Sequence, residues 1–561
     1  MKLLREFSAI AKPYWVSEER WAARGLLAVI IMLNLGIVWV NVGLNTWNGE
    51  FYNALQDKKF DLFKSLVLEF GGWALLFIVF TVYQQYLRQM LQIRWRRWLT
   101  EKWLDRWTSN QSFYRLAVFE KVTDNPDQRI ADDIKFFVED TLKLSIDFLS
   151  SVVSFVTFVS ILWALSGALE VAGISIQGYM VWVAIAYAVA GSFGAHWVGK
   201  RLAGLHVTQQ RYEADFRYSL IRIRDNAEAI ALYRAQGIET EGIKQRFSRV
   251  VNNWWEIMKQ EKRYAWFGSF YGQIAIIFPL VVAAPKYFSG AIQLGGLMQI
   301  ASSFGEVQKA LSWFVDAYTK LADWRSYIYR LTDFSNAMSA VEKQPKTIEL
   351  VEAGEASLPI HSNNLEMLAP DGRLLFNSNG LNITQGQHTI INGASGSGKS
   401  TLFRTLAGLW PFAKGRLQSA PFADSLYLPQ KPYLPLGSLR ACIAYPSAEA
   451  KFSDAQIIEI LQVLGLEKLA QKLDAIEPWH AMLSPGEQQR LAIGRAILNQ
   501  PKWLFLDEAT SALSEQVELQ MYELLIARIA QVTLVSIAHR ASVDQFHRQK
   551  LLIDTQTKNL V

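Results

Sequence analysis

The stretch Gly393-Ala-Ser-Gly-Ser-Gly-Lys-Ser400 decides the fold of the C-terminal part of the chain. It matches the phosphate-binding P-loop pattern, in which glycines let backbone N–H groups close around phosphate oxygens. An apolar run, Thr389–Ile391, precedes it, and the helix-like Thr401–Leu409 follows. This order of strand, glycine loop and helix disfavours the alternative of an ordinary Gly/Ser turn. From Ile360 onward the pattern predicts an α/β P-loop nucleotide-binding domain with a mostly parallel sheet.

The loop predicts ATP and Mg²⁺ as cofactors. A helix N-terminus adds positive potential for phosphate groups. Lys399 should reach the terminal phosphates, and the Ser400 hydroxyl should ligate Mg²⁺. The residues assigned here to nucleotide binding are Gly393, Ala394, Ser395, Gly396, Ser397, Gly398, Lys399, Ser400 and Thr401.

A second motif, Leu504-Phe-Leu-Asp507-Glu508, places two carboxylates at the end of an apolar strand. Metal-assisted phosphoryl transfer requires such groups: Asp507 would orient Mg²⁺, and Glu508 would polarise the attacking water. By itself this pattern is weak, because a strand can also end in a solvated acidic turn. The preceding P-loop favours the catalytic interpretation.

Between these motifs lies Leu483-Ser-Pro-Gly-Glu-Gln-Gln-Arg490, which resembles the signature motif of ABC ATPases. Pro485 stands where the commonest form has a second Gly; the alternative is a plain Ser-Pro-Gly turn before a helix. The resemblance implies that Ser484, Gly486 and Glu487 hold the γ-phosphate bound by the opposite subunit. One such domain per chain therefore implies a homodimer.

Further matches follow the order of that family. Tyr427-Leu-Pro-Gln430 resembles the Q-loop, whose Gln430 would sense Mg²⁺, and His539 resembles the switch histidine that contacts the γ-phosphate. Ser511-Ala-Leu-Ser514 stands at the D-loop, but Ser514 replaces the usual Asp. Ala369 stands where the family usually stacks an aromatic residue on adenine, so no stacking residue is assigned.

The composition indicates a second part that lies in a membrane. Half of the residues are apolar and only 19% are charged, which is too apolar for a soluble enzyme and too polar for a chain wholly in lipid. The net charge of +6 does not argue for a nucleic-acid partner. The single cysteine, Cys442, excludes an internal disulfide framework. The N-terminal stretch Met1–Trp15 lacks a signal-peptide layout, so we expect no cleaved leader.

Six apolar segments precede residue 325, and each approaches the roughly 20 residues that cross a bilayer. The sixth is the weakest, because Glu306, Lys309 and Asp316 interrupt it. Basic residues next to the segments place both termini in the cytosol. The segments are Leu26–Leu44, Leu66–Leu87, Leu144–Leu165, Tyr179–Val198, Tyr264–Ala284 and Leu294–Val315.

These observations predict three regions: a six-helix transmembrane domain over residues 1–334, a linker over 335–357, and an ATP-binding domain over 358–561. The membrane part carries further resemblances. Residues 44–56 are similar to SbmA/BacA-type peptide transporters, and Thr123–Arg129 and Glu228–Tyr233 to the acyl-CoA (ABCD) transporters. The whole resembles YddA-type bacterial proteins, which implies an α-helical exporter-type ABC fold with helices exchanged between subunits.

Several stretches of the membrane part keep two interpretations. Asp124–Arg129 is either a helix-capping turn or a coupling element, and Glu228–Tyr233 is either one face of a long helix or a coupling element. The Trp-rich Trp95–Trp107 favours an interfacial belt over a ligand site. Glu306 and Lys309 are spaced i, i+3, so they either line a hydrophilic cavity or mark where the segment leaves the membrane.

Together the sequence predicts an ATP-hydrolysing half-transporter of a bacterial inner membrane, with its nucleotide domain in the cytosol. Membrane lipid and a small hydrophilic solute or peptide are the expected partners, and nucleic acid is not. Cobalamin or peptides, moved by import, are the expected cargo. The alternatives are an acyl-CoA or lipid-like substrate, export, and an ATP-gated channel or sensor without active transport.

Overall fold

The structure, a computed structural model, describes residues 2–119, 125–171, 174–343, 347–378 and 380–561. It contains two compact units. The membrane unit comprises Met1–Arg106 and Asp124–Asn336, and the nucleotide unit comprises Trp107–Thr123 and Ala337–Val561. The short segment Trp107–Thr123 therefore belongs to the nucleotide unit although it lies in the N-terminal half of the chain. Its Val118 packs against the core of the sheet.

Long helices make up the membrane unit. A two-stranded antiparallel hairpin joins α6 to α7. The elements from the N-terminus are α1 (Lys2–Trp15), α2 (Arg20–Gln56), α3 (Phe60–Thr108), α4 (Ser112–Phe119, in the nucleotide unit), α5 (Pro126–Gln128), α6 (Ile134–Ser166), β1 (Ala168–Val171), β2 (Ile174–Gln177), α7 (Tyr179–Asp225), α8 (Ala227–Leu232), α9 (Gln236–Phe288) and α10 (Leu294–Lys343).

Each of the six predicted apolar segments lies on its own long helix. Among the described residues, five helices are long and apolar enough to cross a membrane. These five carry the first five segments. The sixth segment lies on α10, which is 50 residues long but has, among the described residues, no stretch as apolar as those of the other five. The charged Glu306 and Lys309 account for part of that polarity, as the sequence predicts.

Two tryptophans of the stretch predicted as an interfacial belt, Trp95 and Trp103, lie inside the membrane unit. Trp95 and Trp103 are buried. Trp95 stacks on Tyr14 of α1, with ring centroids 5.5 Å apart, and Trp103 contacts the ring of Phe334. For these two residues the prediction was wrong, because it took no account of α1, which covers Trp95, or of α10, which carries Phe334. Their rings pack the helices together.

The nucleotide unit is built on one large sheet, which in the described residues has eleven strands. Strands β9, β10, β11, β7 and β12 are neighbours in that order and run parallel. Beyond β12 the sheet continues with both antiparallel and parallel pairings. The strands are β3 (Ile348–Glu352), β4 (Ile360–Leu368), β5 (Leu374–Ser378), β6 (Asn382–Ile383), β7 (Thr389–Gly393), β8 (Ala413–Ser419), β9 (Ser425–Leu428), β10 (Trp503–Asp507), β11 (Thr533–Ile537), β12 (Gln549–Asp554) and β13 (Asn559–Leu560).

Helices cover the parallel strands, and buried apolar side chains lie on both faces of the sheet. This burial explains why β10 and β11 read as continuous apolar runs. The helices are α11 (Lys399–Leu406), α12 (Leu439–Ala444), α13 (Asp454–Val463), α14 (Trp479–Met482), α15 (Pro485–Asn499) and α16 (Glu515–Arg528).

The segment predicted as a linker, Ser335–Ser357, carries regular structure at both ends. Helix α10 continues to Lys343, and β3 pairs with β8 in the sheet. Pro345 and Lys346, within this segment, lie outside the described residues.

Candidate nucleotide site

Four adjacent parallel strands deliver the predicted site residues to one edge of the sheet. Gly393 ends β7, Asp507 ends β10, and Gln430 follows β9 by two residues. His539 follows β11 by two residues. Because these strands are parallel neighbours, their carboxyl ends meet, which is where open α/β sheets bind ligands. Motifs that are far apart in the sequence therefore share one site.

The P-loop occupies the connection between β7 and α11, as its pattern predicts. Gly396 and Gly398 have φ values of +78° and +103°, a backbone conformation that L side chains rarely adopt. A Cβ atom on Gly398 would also lie 3.1 Å from the ring of Phe376. Glycine is therefore required at this position for the loop to keep its shape. Of the remaining loop residues, Ala394 and Ser395 lie between Gly393 and Gly396, and Ser397 lies between Gly396 and Gly398. Thr401 lies in the first turn of α11.

Lys399 folds back onto its own loop. Its Nζ donates hydrogen bonds to the carbonyl oxygens of Gly393, at 2.7 Å, and Ala394, at 3.1 Å. The side chain is almost fully buried. The ammonium thus stands beside the loop's phosphate-binding N–H groups, and phosphate oxygens would compete for it with these two carbonyls.

Asp507 and Ser400 lie together. The Ser400 hydroxyl donates to Oδ1 of Asp507 at 3.0 Å. Burial raises the pKa of the Asp507 carboxyl above its usual value, and the Ser400 hydrogen bond offsets part of this rise. A hydroxyl and a carboxylate are oxygen ligands of the kind Mg²⁺ prefers, so these residues fit the predicted metal site. No cluster of three or more His, Cys, Asp or Glu side chains that could hold a metal occurs in the described residues, and Mg²⁺ would need the nucleotide's phosphates as further ligands.

Glu508 lies between the Q-loop and the switch histidine. Its Oε2 accepts a hydrogen bond from Nε2 of Gln430 at 2.7 Å, and its Oε1 lies 2.7 Å from Nε2 of His539. Its φ of +50° is uncommon for a residue with a side chain, and such conformations cluster at functional sites. The carboxylate expected to polarise water is therefore held by the two residues that the sequence assigns to sensing the nucleotide.

The signature motif opens helix α15. Ser484 is the N-cap residue and forms a capping box with Glu487: the Ser484 N–H and Oγ donate to Glu487 Oε2 at 2.8 and 2.7 Å. These bonds lower the pKa of Glu487. Pro485 occupies the first helical position, where proline needs no N–H partner and its fixed φ suits the helix. The departure from the commonest signature is therefore compatible with the helix start.

The described contacts do not join the signature motif to the P-loop of the same chain. Gly486 instead lies against the D-loop, since a Cβ atom there would be 3.4 Å from the carbonyl oxygen of Ala512. Ser484 is exposed. The expected role of Ser484, Gly486 and Glu487 at a γ-phosphate consequently needs a second copy of the chain.

Sequence reasoning missed three side chains that tie these motifs together. Gln489 is buried and hydrogen-bonds both the Q-loop and the D-loop. Arg540, directly after the switch histidine, donates from Nη1 to the Leu513 carbonyl oxygen at 2.8 Å and to Glu518 Oε2 at 2.9 Å. Glu518 is buried and also accepts from Thr510. No pattern in the sequence signals these contacts, because they depend on the packing of α15 and α16.

The fold and the site together define an ABC-type ATPase joined to a helical membrane domain. Residues 10–288 match the family described as ABC transporter transmembrane region 2, and residues 376–511 match the ABC transporter family of ATP-binding domains. The inner membrane ABC transporter ATP-binding protein YddA of Escherichia coli is 34% identical over 96% of both chains.

Two eukaryotic relatives and one solved structure extend this result. ABC transporter D family member 2 of Arabidopsis thaliana is 30% identical over 99% of this chain and 86% of its own. The lysosomal cobalamin transporter ABCD4 of the mouse is 29% identical over 98% and 94%. A bacterial Atm1-family ABC exporter with ATP bound matches with a TM-score of 0.73 at 17% identity, over 96% and 94%, which shows the exporter-type fold. The chain belongs to the ABC transporter family, as a half-transporter with fused membrane and ATP-binding domains close to YddA and the D family.

Proposed function

We propose that two copies of this chain use ATP to move hydrophilic solutes, short peptides or cobalamin, across a bacterial inner membrane in the direction of import. The observation that carries the choice of solute is a cavity in the membrane unit whose lining includes amide, hydroxyl and charged side chains. Its volume is about 890 Å³, and helices α2, α6, α9 and α10 line it. Cavities of roughly 300–1,000 Å³ are the size that encloses small molecules.

The cavity offers hydrogen-bonding groups from three helices. Asn41 and Asn48 come from α2, two turns apart on one face, and three hydroxyls come from α6. Glu306 and Lys309 of α10 also line it, paired at 2.6 Å. Polar groups within a spanning segment are costly unless they face water or a partner, so this lining supports the predicted hydrophilic path. The hydroxyls belong to Ser150, Ser151 and Ser154. The side chain of Asp316 lies outside the described residues.

The charges of the cavity favour hydrophilic solutes over acyl-CoA. Glu306 and Lys309 are the charged side chains among its lining residues, and they neutralise each other. A CoA-binding site would need an excess of positive charge against several phosphate charges. A neutral or zwitterionic solute needs none. The cobalamin named for the mouse relative and the peptides implied by the SbmA/BacA-like resemblance both meet this condition.

A short exposed helix supports coupling between the membrane unit and a second copy of the chain. Helix α8 is a short helix of its own between α7 and α9, so Glu228–Tyr233 is not one face of a long helix. Leu232 and the adjacent Tyr233 are about four-fifths exposed in the single chain. A short helix with exposed apolar residues fits a coupling role against a second copy. The other stretch with two interpretations is Asp124–Arg129. Asp124 lies outside the described residues, and the Asn125 side chain makes no capping bond to α5.

Single cysteines along α10 test the path, in a background where the buried Cys442 is replaced by alanine. Cysteines at Ser302, Gly305 and Ser312 line the cavity, so we expect them to react quickly with a membrane-impermeant maleimide applied from the cytosolic side. Ile300, Phe304 and Val307 are fully buried on the same helix and serve as matched controls. We expect trapping with ATP and vanadate to slow the cavity cysteines at least about tenfold, because closure of the nucleotide sites repositions the helices. Protection at every position before trapping would rule out the hydrophilic path.

A further inference from the structure

Gln489 occupies an unusual place in the nucleotide unit. It lies in the second turn of α15, five residues after Ser484, and its side chain is 3% exposed. Nε2 donates to the carbonyl oxygen of Gln430 at 3.1 Å and to Oγ of Ser511 at 3.2 Å. Oε1 accepts from the backbone N–H of Ala512 at 2.8 Å. One buried amide thereby joins the signature helix, the Q-loop and the D-loop.

Three hydrogen bonds fix the orientation of this amide: both N–H donors are used, and the oxygen accepts one bond. Its two donors and its acceptor face groups from two other segments, and none bonds its own helix. A rotation of α15 would therefore pull the backbone of Gln430 and the D-loop with it, or leave buried polar groups unpaired. The D-loop has a second anchor at Leu513, through Arg540, but the described side-chain bonds to the Gln430 backbone come from Gln489.

We infer that Gln489 is a positioning residue for ATP hydrolysis, which keeps the Q-loop in register with the signature helix. The position of the Q-loop affects Glu508, because Nε2 of Gln430 donates a hydrogen bond to Oε2 of Glu508 at 2.7 Å. When the signature helix engages the opposite subunit's nucleotide, Gln489 transmits that movement to the Gln430 backbone and so to the carboxylate of its own site. The same amide carries the movement into the D-loop, where Ser514 has no carboxylate to contribute.

The chain provides a matched control in the adjacent residue. Gln488 also donates two hydrogen bonds to backbone carbonyls, those of His480 at 2.9 Å and Leu483 at 2.8 Å. Both acceptors precede α15, so Gln488 touches neither the Q-loop nor the D-loop. Gln488→Met and Gln489→Met remove the same number of donors from neighbouring positions of one helix, but only the second breaks the connection between motifs.

The test measures ATP turnover, ATP affinity and the Mg²⁺ requirement of the full-length protein in detergent micelles, and it does not depend on transport. We expect Gln489→Met to lower kcat about tenfold. The Mg²⁺ concentration at half-maximal turnover should rise, while ATP affinity without Mg²⁺ stays within about twofold, since the P-loop is untouched. Gln488→Met should lower the melting temperature but keep kcat and the Mg²⁺ requirement.

A second variant, Gln489→Glu, tests the same inference if Gln489→Met does not fold. Gln489→Glu is nearly isosteric and keeps the acceptor for the Ala512 N–H, but it places a carboxylate oxygen against the Gln430 carbonyl and loses both donors. We expect the same fall in kcat and the same rise in Mg²⁺ requirement from it. If Gln489 variants that fold retained the turnover and Mg²⁺ requirement of Gln488→Met, the inference would be overturned.

Discussion

Replacement of Glu508 by Gln is expected to lower ATP turnover at least about 100-fold while the protein still binds ATP. General base catalysis contributes typically 10²–10⁴-fold, and an amide cannot take the proton of the attacking water. ATP binding should persist, because Lys399, the P-loop backbone and Asp507 are unchanged. The amide has nearly the shape of the carboxylate and can still contact Gln430 and His539, so the site should keep its geometry.

Phosphate release and equilibrium ATP binding, measured on the same preparation, check this expectation. Glu523→Gln is the control, since Glu523 is an exposed carboxylate on α16, away from the site residues. Without hydrolysis, Glu508→Gln should also accumulate as an ATP-bound closed dimer. Normal turnover in Glu508→Gln would show that another group activates the water.

Lys399→Ala is expected to weaken ATP binding instead. The ammonium lies beside the P-loop carbonyls of Gly393 and Ala394, where the phosphates would arrive. A hydrogen bond to a charged group contributes about 1.5–3 kcal/mol, so loss of the contact should weaken ATP affinity by roughly 10–100-fold. The substitution also leaves two carbonyls of the loop without this partner, which adds to the effect.

A fluorescent ATP analogue titrated into the purified protein measures this change. Lys414→Ala removes an exposed lysine of the same unit and should leave affinity unchanged. The two active-site variants thus separate the two steps: Glu508→Gln should bind ATP and hydrolyse it slowly, whereas Lys399→Ala should bind ATP weakly. Wild-type affinity in Lys399→Ala would contradict the assignment of the P-loop lysine.

Much of the nucleotide unit could be predicted from local sequence. The P-loop needs glycines at fixed places, and β10 and β11 need continuous apolar runs because helices cover both faces of the sheet. Gln489 could not be predicted in this way. Its role depends on how α15 packs against two loops that lie 59 and 22 residues away along the chain.

The membrane unit was harder to predict because hydropathy reports length and not neighbours. Hydropathy identifies the six segments. It does not show that Trp95 packs against α1 and that Trp103 packs against Phe334, so it places both at a lipid interface. An amphipathic first helix leaves little signal in a search for long apolar runs. Glu306 and Lys309 give a different kind of signal, since charge within a spanning segment is costly, and they support the proposed hydrophilic path.

ATP-driven solute flux in proteoliposomes tests the central proposal most directly. ATP added outside selects the molecules whose nucleotide units face outward, so the lumen then stands for the outside of the cell. Vesicles hold a labelled hydrophilic peptide or labelled cobalamin at the same starting concentration inside and outside, and Glu508→Gln is the control. The account predicts that ATP drives loss of one of these solutes from the lumen, against its gradient, and that the control does not. Accumulation in the lumen would contradict import, and an absence of ATP-dependent movement, or equal movement in the control, would contradict active transport of these solutes.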